Sequence, residues 1–184
     1  MRWMIAWVVL FSLTCHAAEF NQIQAAKSSI TFVSRQMGSP VEGKFGKFSA
    51  SISFDPNNLA AGKAHIEIDM ANIDAGSSDA NDEVKGKDWF NIKQYPTARF
   101  DSTGIKAMAD GRYEASGKMT IKGITRNVTV PFTAKLENNL ATLDGGMTIL
   151  RLQYGVGAGE WADPDTVADE VQLRFRFVLG TAKK

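Results

Sequence analysis

Between Ile30 and Leu179 apolar residues return at every second position, segment after segment. Ile66, Ile68 and Met70 alternate with His65, Glu67 and Asp69, and Val128, Val130, Phe132, Ala134 and Leu136 alternate with Asn127, Thr129, Thr133 and Lys135. Val171, Leu173, Phe175, Phe177 and Leu179 do the same against Gln172, Arg174 and Arg176. Successive side chains on a strand point to opposite faces, so each segment offers one face to a core and the other to water. Repeated along the chain, this period predicts an all-β protein whose antiparallel sheet closes as a barrel or stacks as a sandwich.

The period marks strands over Ser29–Arg35, Lys44–Phe54, Lys63–Asn72, Thr97–Ile105, Arg112–Lys122, Arg126–Leu136, Leu140–Leu150 and Glu170–Gly180. Eight strands suffice to close a small barrel. The separators carry turn chemistry, as in Asp55-Pro56-Asn57-Asn58, Asp110-Gly111 and Glu137-Asn138-Asn139. Gly46 falls where the alternation slips by one residue, which predicts a bulge. Pro131 has no N–H for a ladder, which predicts an edge or a bulge. One segment breaks the period: Ser78–Lys85 has capping residues ahead, acids early and a lysine late, the marks of a short helix. Trp89, Phe90 and Ile92 follow it, so the helix is expected to plug or flank one barrel end.

The N-terminus reads differently. Arg2 precedes the apolar run Ile5 to Leu13, and Cys15-His16-Ala17-Ala18 offers small residues for cleavage. Residues 1–18 are expected to be a cleaved signal peptide, directing residues 19–184 to the periplasm as one domain. Cleavage removes the single cysteine, so stability rests on packing rather than disulfides. A domain of this size buries roughly 70% of its unfolded surface, enough without staples. The net charge is +1, and 0 once Arg2 is gone, so no global field draws the chain to nucleic acid.

Catalytic signatures are weak. Without the leader His65 is the single histidine, placed on the polar side of its strand, and no Gly-x-Ser-x-Gly elbow accompanies it. One histidine and no cysteine do not make a zinc site. Glu160, Asp163, Asp165, Asp169 and Glu170 lack the spacing and mid-loop glycine of a calcium loop. Gly155-Val156-Gly157-Ala158-Gly159 is not a strand-to-helix turn and reads as backbone freedom near a bend. There remains the apolar face: Phe32, Phe48, Ile52, Phe54, Ile68, Phe100, Met119, Ile121, Phe132, Met147 and Phe175, with Tyr113 and Tyr154 close by. In a small barrel these residues either fill the interior or line a cavity for one apolar ligand, and periodicity does not choose.

The chain resembles the YceI-like family of polyisoprenoid-binding, lipocalin-like periplasmic proteins. The resemblance rests on Ser29-Ile30-Thr31-Phe32, on Gly43-Lys44-Phe45-Gly46-Lys47-Phe48, and above all on the run Asp88-Trp89-Phe90-Asn91-Ile92-Lys93-Gln94-Tyr95-Pro96-Thr97-Ala98-Arg99-Phe100. Gly117-Lys118-Met119-Thr120-Ile121-Lys122-Gly123 and Tyr154-Gly155-Val156-Gly157 with Glu160-Trp161 extend it. The family's Arg-Asp-x-His-Leu stretch is here Ala80-Asn81-Asp82-Glu83-Val84. The resemblance implies an antiparallel, lipocalin-like eight-stranded barrel with one short helix, enclosing an apolar channel for an isoprenoid lipid or quinone. It adds Trp89, Phe90 and Tyr154 to the expected ligand-binding face and implies a carrier without catalysis, metal or resident cofactor. A polar head at the mouth would meet Lys44, Lys47, Lys85 or Lys87, but lysines on the outside of a barrel are more often plain solubility residues, and that is the favoured reading of these four. The competing expectation is an accessory protein that docks on a membrane electron-transfer partner without bound lipid.

Overall fold

The computed structural model describes residues 19–181; the expected leader over residues 1–18, with Cys15, lies outside them. Eleven strands form one antiparallel sheet: β1 (Phe20–Ile23), β2 (Ser29–Gln36), β3 (Ser39–Phe45), β4 (Phe48–Ser53), β5 (Lys63–Asp69), β6 (Ile73–Asp74), β7 (Thr97–Ala107), β8 (Tyr113–Ile121), β9 (Ile124–Glu137), β10 (Leu140–Leu150) and β11 (Glu170–Thr181). Their order is β4-β5-β7-β8-β9-β10-β11-β2-β3-β6, with β1 added to β11.

The count exceeds the expected eight because two expected strands break and β1 adds a short segment ahead of β2. The breaks are paired. The expected strand Lys44–Phe54 divides at Gly46-Lys47, and its neighbour Lys63–Asn72 ends early, at Asp69, where the 3-10 turn Met70–Asn72 leads into β6 beyond the expected bounds. Gly46 N donates to Asn72 O at 2.8 Å, and Asp69 N donates to Lys47 O at 3.0 Å. The Asp69 carboxylate caps the turn, accepting from Ala71 N at 3.1 Å. The slip of period at Gly46 is thus a bend shared by two adjacent strands. Since β3 runs on into β4, β5 into β6 and β1 into β2, the eleven strands amount to eight staves of a curled sheet.

The first two staves pair from Thr31↔Lys44 to Gln36↔Ser39, and meet again only at Phe20↔Phe54. Between these points the 3-10 turn Ala25–Lys27 interrupts the first stave and leaves a seam. Pro131 marks a second opening. It pairs with Glu114 on β8, while the ladder from β9 to β10 ends one residue later, at Phe132↔Gly145. A residue without an N–H sits where no further rung is required.

The helix α1 (Ser78–Lys85) occupies the expected range. Ser77 Oγ accepts from Ala80 N at 3.2 Å, and Asp79 in the first turn and Lys85 in the last complement the helix dipole. Ala80 and Val84 pack with Trp89, Phe90 and Ile92 against one buried cluster, built on Phe32, Met70, Ile121 and Tyr154. A second cluster at the other end is built on Ile52, Phe54, Phe132, Leu143 and Leu179. There Tyr113 stands edge-on to Phe54 with centroids 5.2 Å apart and stacks on Phe132 at 5.5 Å, so aromatic rings cap that end.

Candidate ligand cavity

Barrel interiors of this size are ordinarily filled by the inward side chains, yet here the lumen stays open. The reason lies in where the phenyl rings go. Phe32 faces Gly43 across the β2–β3 ladder, and Phe175 faces Gly145 across β10–β11. A Cβ on Gly145 would come within 2.6 Å of Phe175 Cζ, and one on Gly117 within 2.5 Å of Phe100 Cε2. A Cβ on Gly43 would likewise collide with the Phe32 ring. Each ring therefore lies along the wall, over a glycine that leaves room for it, rather than across the lumen.

Two cavities result, an outer one of about 480 Å³ and an inner one of about 110 Å³. The outer volume falls in the range of small-molecule sites, roughly 300–1,000 Å³. Ile30, Ile66, Ile68, Phe100, Met119 and Leu173 line both, so the chambers lie in tandem. The expected residues divide between them. Phe32, Ile68, Trp89, Phe90, Phe100, Met119, Ile121 and Tyr154 line the outer chamber. Ile52, Phe54, Phe132, Met147 and Phe175 line the inner one, with Ile68, Phe100 and Met119 at the junction. Phe48 lines neither: it packs on the buried cluster at that end, edge-on to Phe177 with centroids 5.9 Å apart.

At the mouth, Asp79 and Glu83 of α1 line the outer chamber with Ser34 and Gln36. Lys44, Lys47, Lys85 and Lys87 are not among the lining residues, in keeping with their reading as surface residues. Lys44 pairs with Asp74 at 3.6 Å, Lys47 with Asp69 at 3.2 Å and Lys85 with Asp82 at 3.8 Å. Glu83 comes from the stretch Ala80–Val84, where the chain departs from the pattern of the family it resembles.

Sequence reasoning missed Arg151, which is 2% exposed at the start of the 3-10 turn Arg151–Tyr154. Its five N–H groups all donate to backbone carbonyls: Nε to Ala168 O, Nη1 to Val156 O and Gly157 O, and Nη2 to Trp161 O and Val167 O, at 2.6–3.1 Å. Burial pushes its pKa down from the ordinary arginine value while Asp169 opposes that shift. Arg151 thus ties the segment from Val156 to Ala168 into one wall of the outer chamber. Gly157 has φ +76°, and a Cβ there would overlap Nη1. The glycines at 155, 157 and 159 were legible as backbone freedom; the cation that demands the middle one was not. The guanidinium also lies over the Trp89 ring, 5.6 Å from its centroid, and Trp89 packs on Trp161 at 5.7 Å.

The remaining candidates stand outside the lumen. His65 Nδ1 lies 2.6 Å from Asp101 Oδ1 on the outer face, directly across β5–β7. Asp163 accepts from Asp165 N at 3.0 Å and Asp169 from Leu152 N at 2.8 Å, so these acids brace their own loop. Among the described residues no group of three or more His, Cys, Asp or Glu side chains could hold a metal ion.

Comparison with known proteins agrees with this architecture. The crystal structure of BcnA from Burkholderia cenocepacia superposes with a TM-score of 0.83 at 46% identity, covering 85% of this chain and 99% of that one. A structure from Saccharophagus degradans, a polyisoprenoid binding domain implicated in plant cell wall breakdown, superposes with a TM-score of 0.65 at 14% identity, covering 90% of this chain and 99% of that one. A UPF0312 protein of Vibrio vulnificus is 27% identical over 128 residues, 68% of each chain. The YceI-like domain profile matches residues 22–179, nearly the full length of the barrel. On that match, and on a fold shared with these structures, the chain belongs to the YceI-like family.

Proposed function

We propose that the chain is a periplasmic, non-catalytic carrier that holds the tail of an isoprenoid lipid or quinone in its tandem cavities. The observation that carries this reading is the set of phenyl rings folded onto Gly43, Gly117 and Gly145, which keeps an apolar lumen open where a packed core would close it. The polyisoprenoid binding domain of similar fold supports the same ligand class. Each buried CH₂ of a tail contributes about 0.8 kcal/mol of favourable transfer, so a long tail supplies affinity without specific bonds. The leader expected over residues 1–18 supports the compartment. The one histidine of the barrel points outward, bonded to Asp101, which supports a carrier rather than an enzyme.

The test is an organic extract of the protein purified from its own periplasm, analysed by mass spectrometry. A lipid with an isoprenoid fragmentation series, recovered near one per chain, is the expected result. Protein of full purity and correct mass yielding no extractable lipid, and taking none up from added membranes, would contradict it.

A further inference from the structure

We propose that Phe54 and Phe132 form a floor against which the tail of the bound lipid ends, and that this floor sets how many isoprene units the protein accepts. The inference rests on the carrier reading above and names the limit of tail length that reading leaves open.

The open part of the lumen has a definite end. Along β10 the inward residues pass from Ile149 at the outer chamber to Met147 and Leu143 at the inner one, and then to Ala141, which lines neither. The facing residues of β11 repeat the order, from Val171 through Leu173, Phe175 and Phe177 to Leu179, which again lines neither. Ala141 and Leu179 are both 0% exposed and pack with Phe20 in one buried cluster. The barrel is thus hollow from its mouth to the level of Leu143 and Phe177, and close-packed beyond. Arg174 is the single polar residue of the inner chamber, and its guanidinium bonds the Gln172 side chain among exposed residues. The outer chamber adds Ser34 and Gln36, so a ligand with one polar end sits tail inward.

Two rings mark the boundary. Phe54 stands at the end of β4 and Phe132 on β9, and these staves are four apart in either direction round the barrel, on opposite walls. Their rings nevertheless meet, with centroids 6.0 Å apart at 72°. That is contact distance for an aromatic pair, so the bore closes where they touch. Both rings line the inner chamber, while Tyr113, which packs on each of them, lines neither cavity and stands behind. The backbone holds the floor in place: Phe54 and Phe20 each donate N–H to the other's carbonyl at 3.0 Å, and Phe132 pairs with Tyr113 across β8–β9. A tail longer than the chambers therefore leaves part of the ligand outside the lumen.

The experiment is calorimetric titration of the parent, Phe132→Ala and Leu179→Ala with a series of isoprenoid quinones that share one head and differ by one isoprene unit. A buried CH₂ is worth about 4-fold in affinity, so each unit that fits is expected to tighten binding by at least about 10-fold, up to one length and no further. In Phe132→Ala that limit is expected to move up by about one unit, because the lost phenyl group is comparable in size to an isoprene unit and leaves its space open down to Tyr113. Leu179→Ala empties space beyond the floor and is expected to leave the limit in place. The limit is read rather than the absolute affinity, since a general loss of stability weakens every member of the series alike. No limit in the parent, an unchanged limit in Phe132→Ala, or an equal move in Leu179→Ala would overturn the floor while leaving the carrier intact. A parent that binds no member of the series would overturn both. Should Phe132→Ala fold poorly, Phe132→Leu decides by the ratio of affinities for the first overlong quinone and the longest that fits: a rise over the parent is expected, and an unchanged ratio contradicts the floor.

Discussion

The Phe100 ring lies against Gly117 on the adjacent strand, so closely that a Cβ there would sit 2.5 Å from Cε2. The same Cβ would come 2.5 Å from the Asp101 carbonyl oxygen, so the glycine accommodates both a wall-hugging ring and the backbone behind it. Gly117→Ala is expected to cost about 1–3 kcal/mol, the usual penalty of overpacking. The melting temperature should fall by several degrees. In a Phe100→Leu background the ring is gone and the carbonyl remains, so the same substitution should cost less, with a coupling of about 1 kcal/mol. Equal costs in the two backgrounds would mean that the ring does not lie over Gly117.

Arg151 supplies five donors to buried carbonyls, and its removal orphans all of them. Arg151→Met is expected to lose at least about 3 kcal/mol by chemical denaturation, since each unsatisfied buried group costs about 1–3 kcal/mol. Arg151→Lys should recover little of that, having three donors on a flexible stem in place of a planar fork. A Met variant within 1 kcal/mol of the parent would contradict the account of the loop from Val156 to Ala168.

These two residues show what was legible in the sequence. Period two placed Phe100 on an inward face, and Ser77 with Asp79 and Lys85 placed the helix. What sets a ring along the wall or across the lumen is a glycine on another strand, visible only once register pairs Phe175 with Gly145 and Phe32 with Gly43. Arg151 was hidden for a related reason: its partners are carbonyls, which every residue has, so no pattern of side chains announces it. Phe48 kept to the inward face that the alternation gave it, on the same side as Ile52, but it packs edge-on against Phe177 instead of lining a cavity. The four lysines line neither cavity, and Lys44, Lys47 and Lys85 pair with Asp74, Asp69 and Asp82 at the surface, as the solubility reading has it.

Asp69 carries the acid-side prediction. Its hydrogen bond from Lys47, then that from Ala71 N, holds its carboxyl below the usual value of 3.8. A carboxyl depressed in the folded state stabilises fully above its unfolded pKa and loses that contribution as the pH falls through the folded value. The melting temperature should therefore decline below about pH 4, and Asp69→Asn should start lower at neutral pH and decline less steeply. Parallel curves for parent and variant would show that Asp69 does not hold the bend between β5 and β6.

The compartment is tested by intact mass. Protein secreted from its own host is expected to begin at Ala18 or Glu19, where small residues precede the scissile bond. A mature species that keeps Met1, or that carries a lipid on Cys15, would contradict release as a soluble periplasmic carrier.

The central claim is that the lumen holds a long isoprenoid tail, and titration with an isoprenoid quinone tests it most directly. Trp89 and Trp161 stand 5.7 Å apart beside the outer chamber, while Trp3 and Trp7 fall within the expected leader. A quinone seated in the chamber quenches their fluorescence. The account predicts saturable quenching at one quinone per chain, tightening as the tail lengthens until both chambers are filled. Quenching that rises linearly without saturation, or an affinity indifferent to tail length, would contradict it.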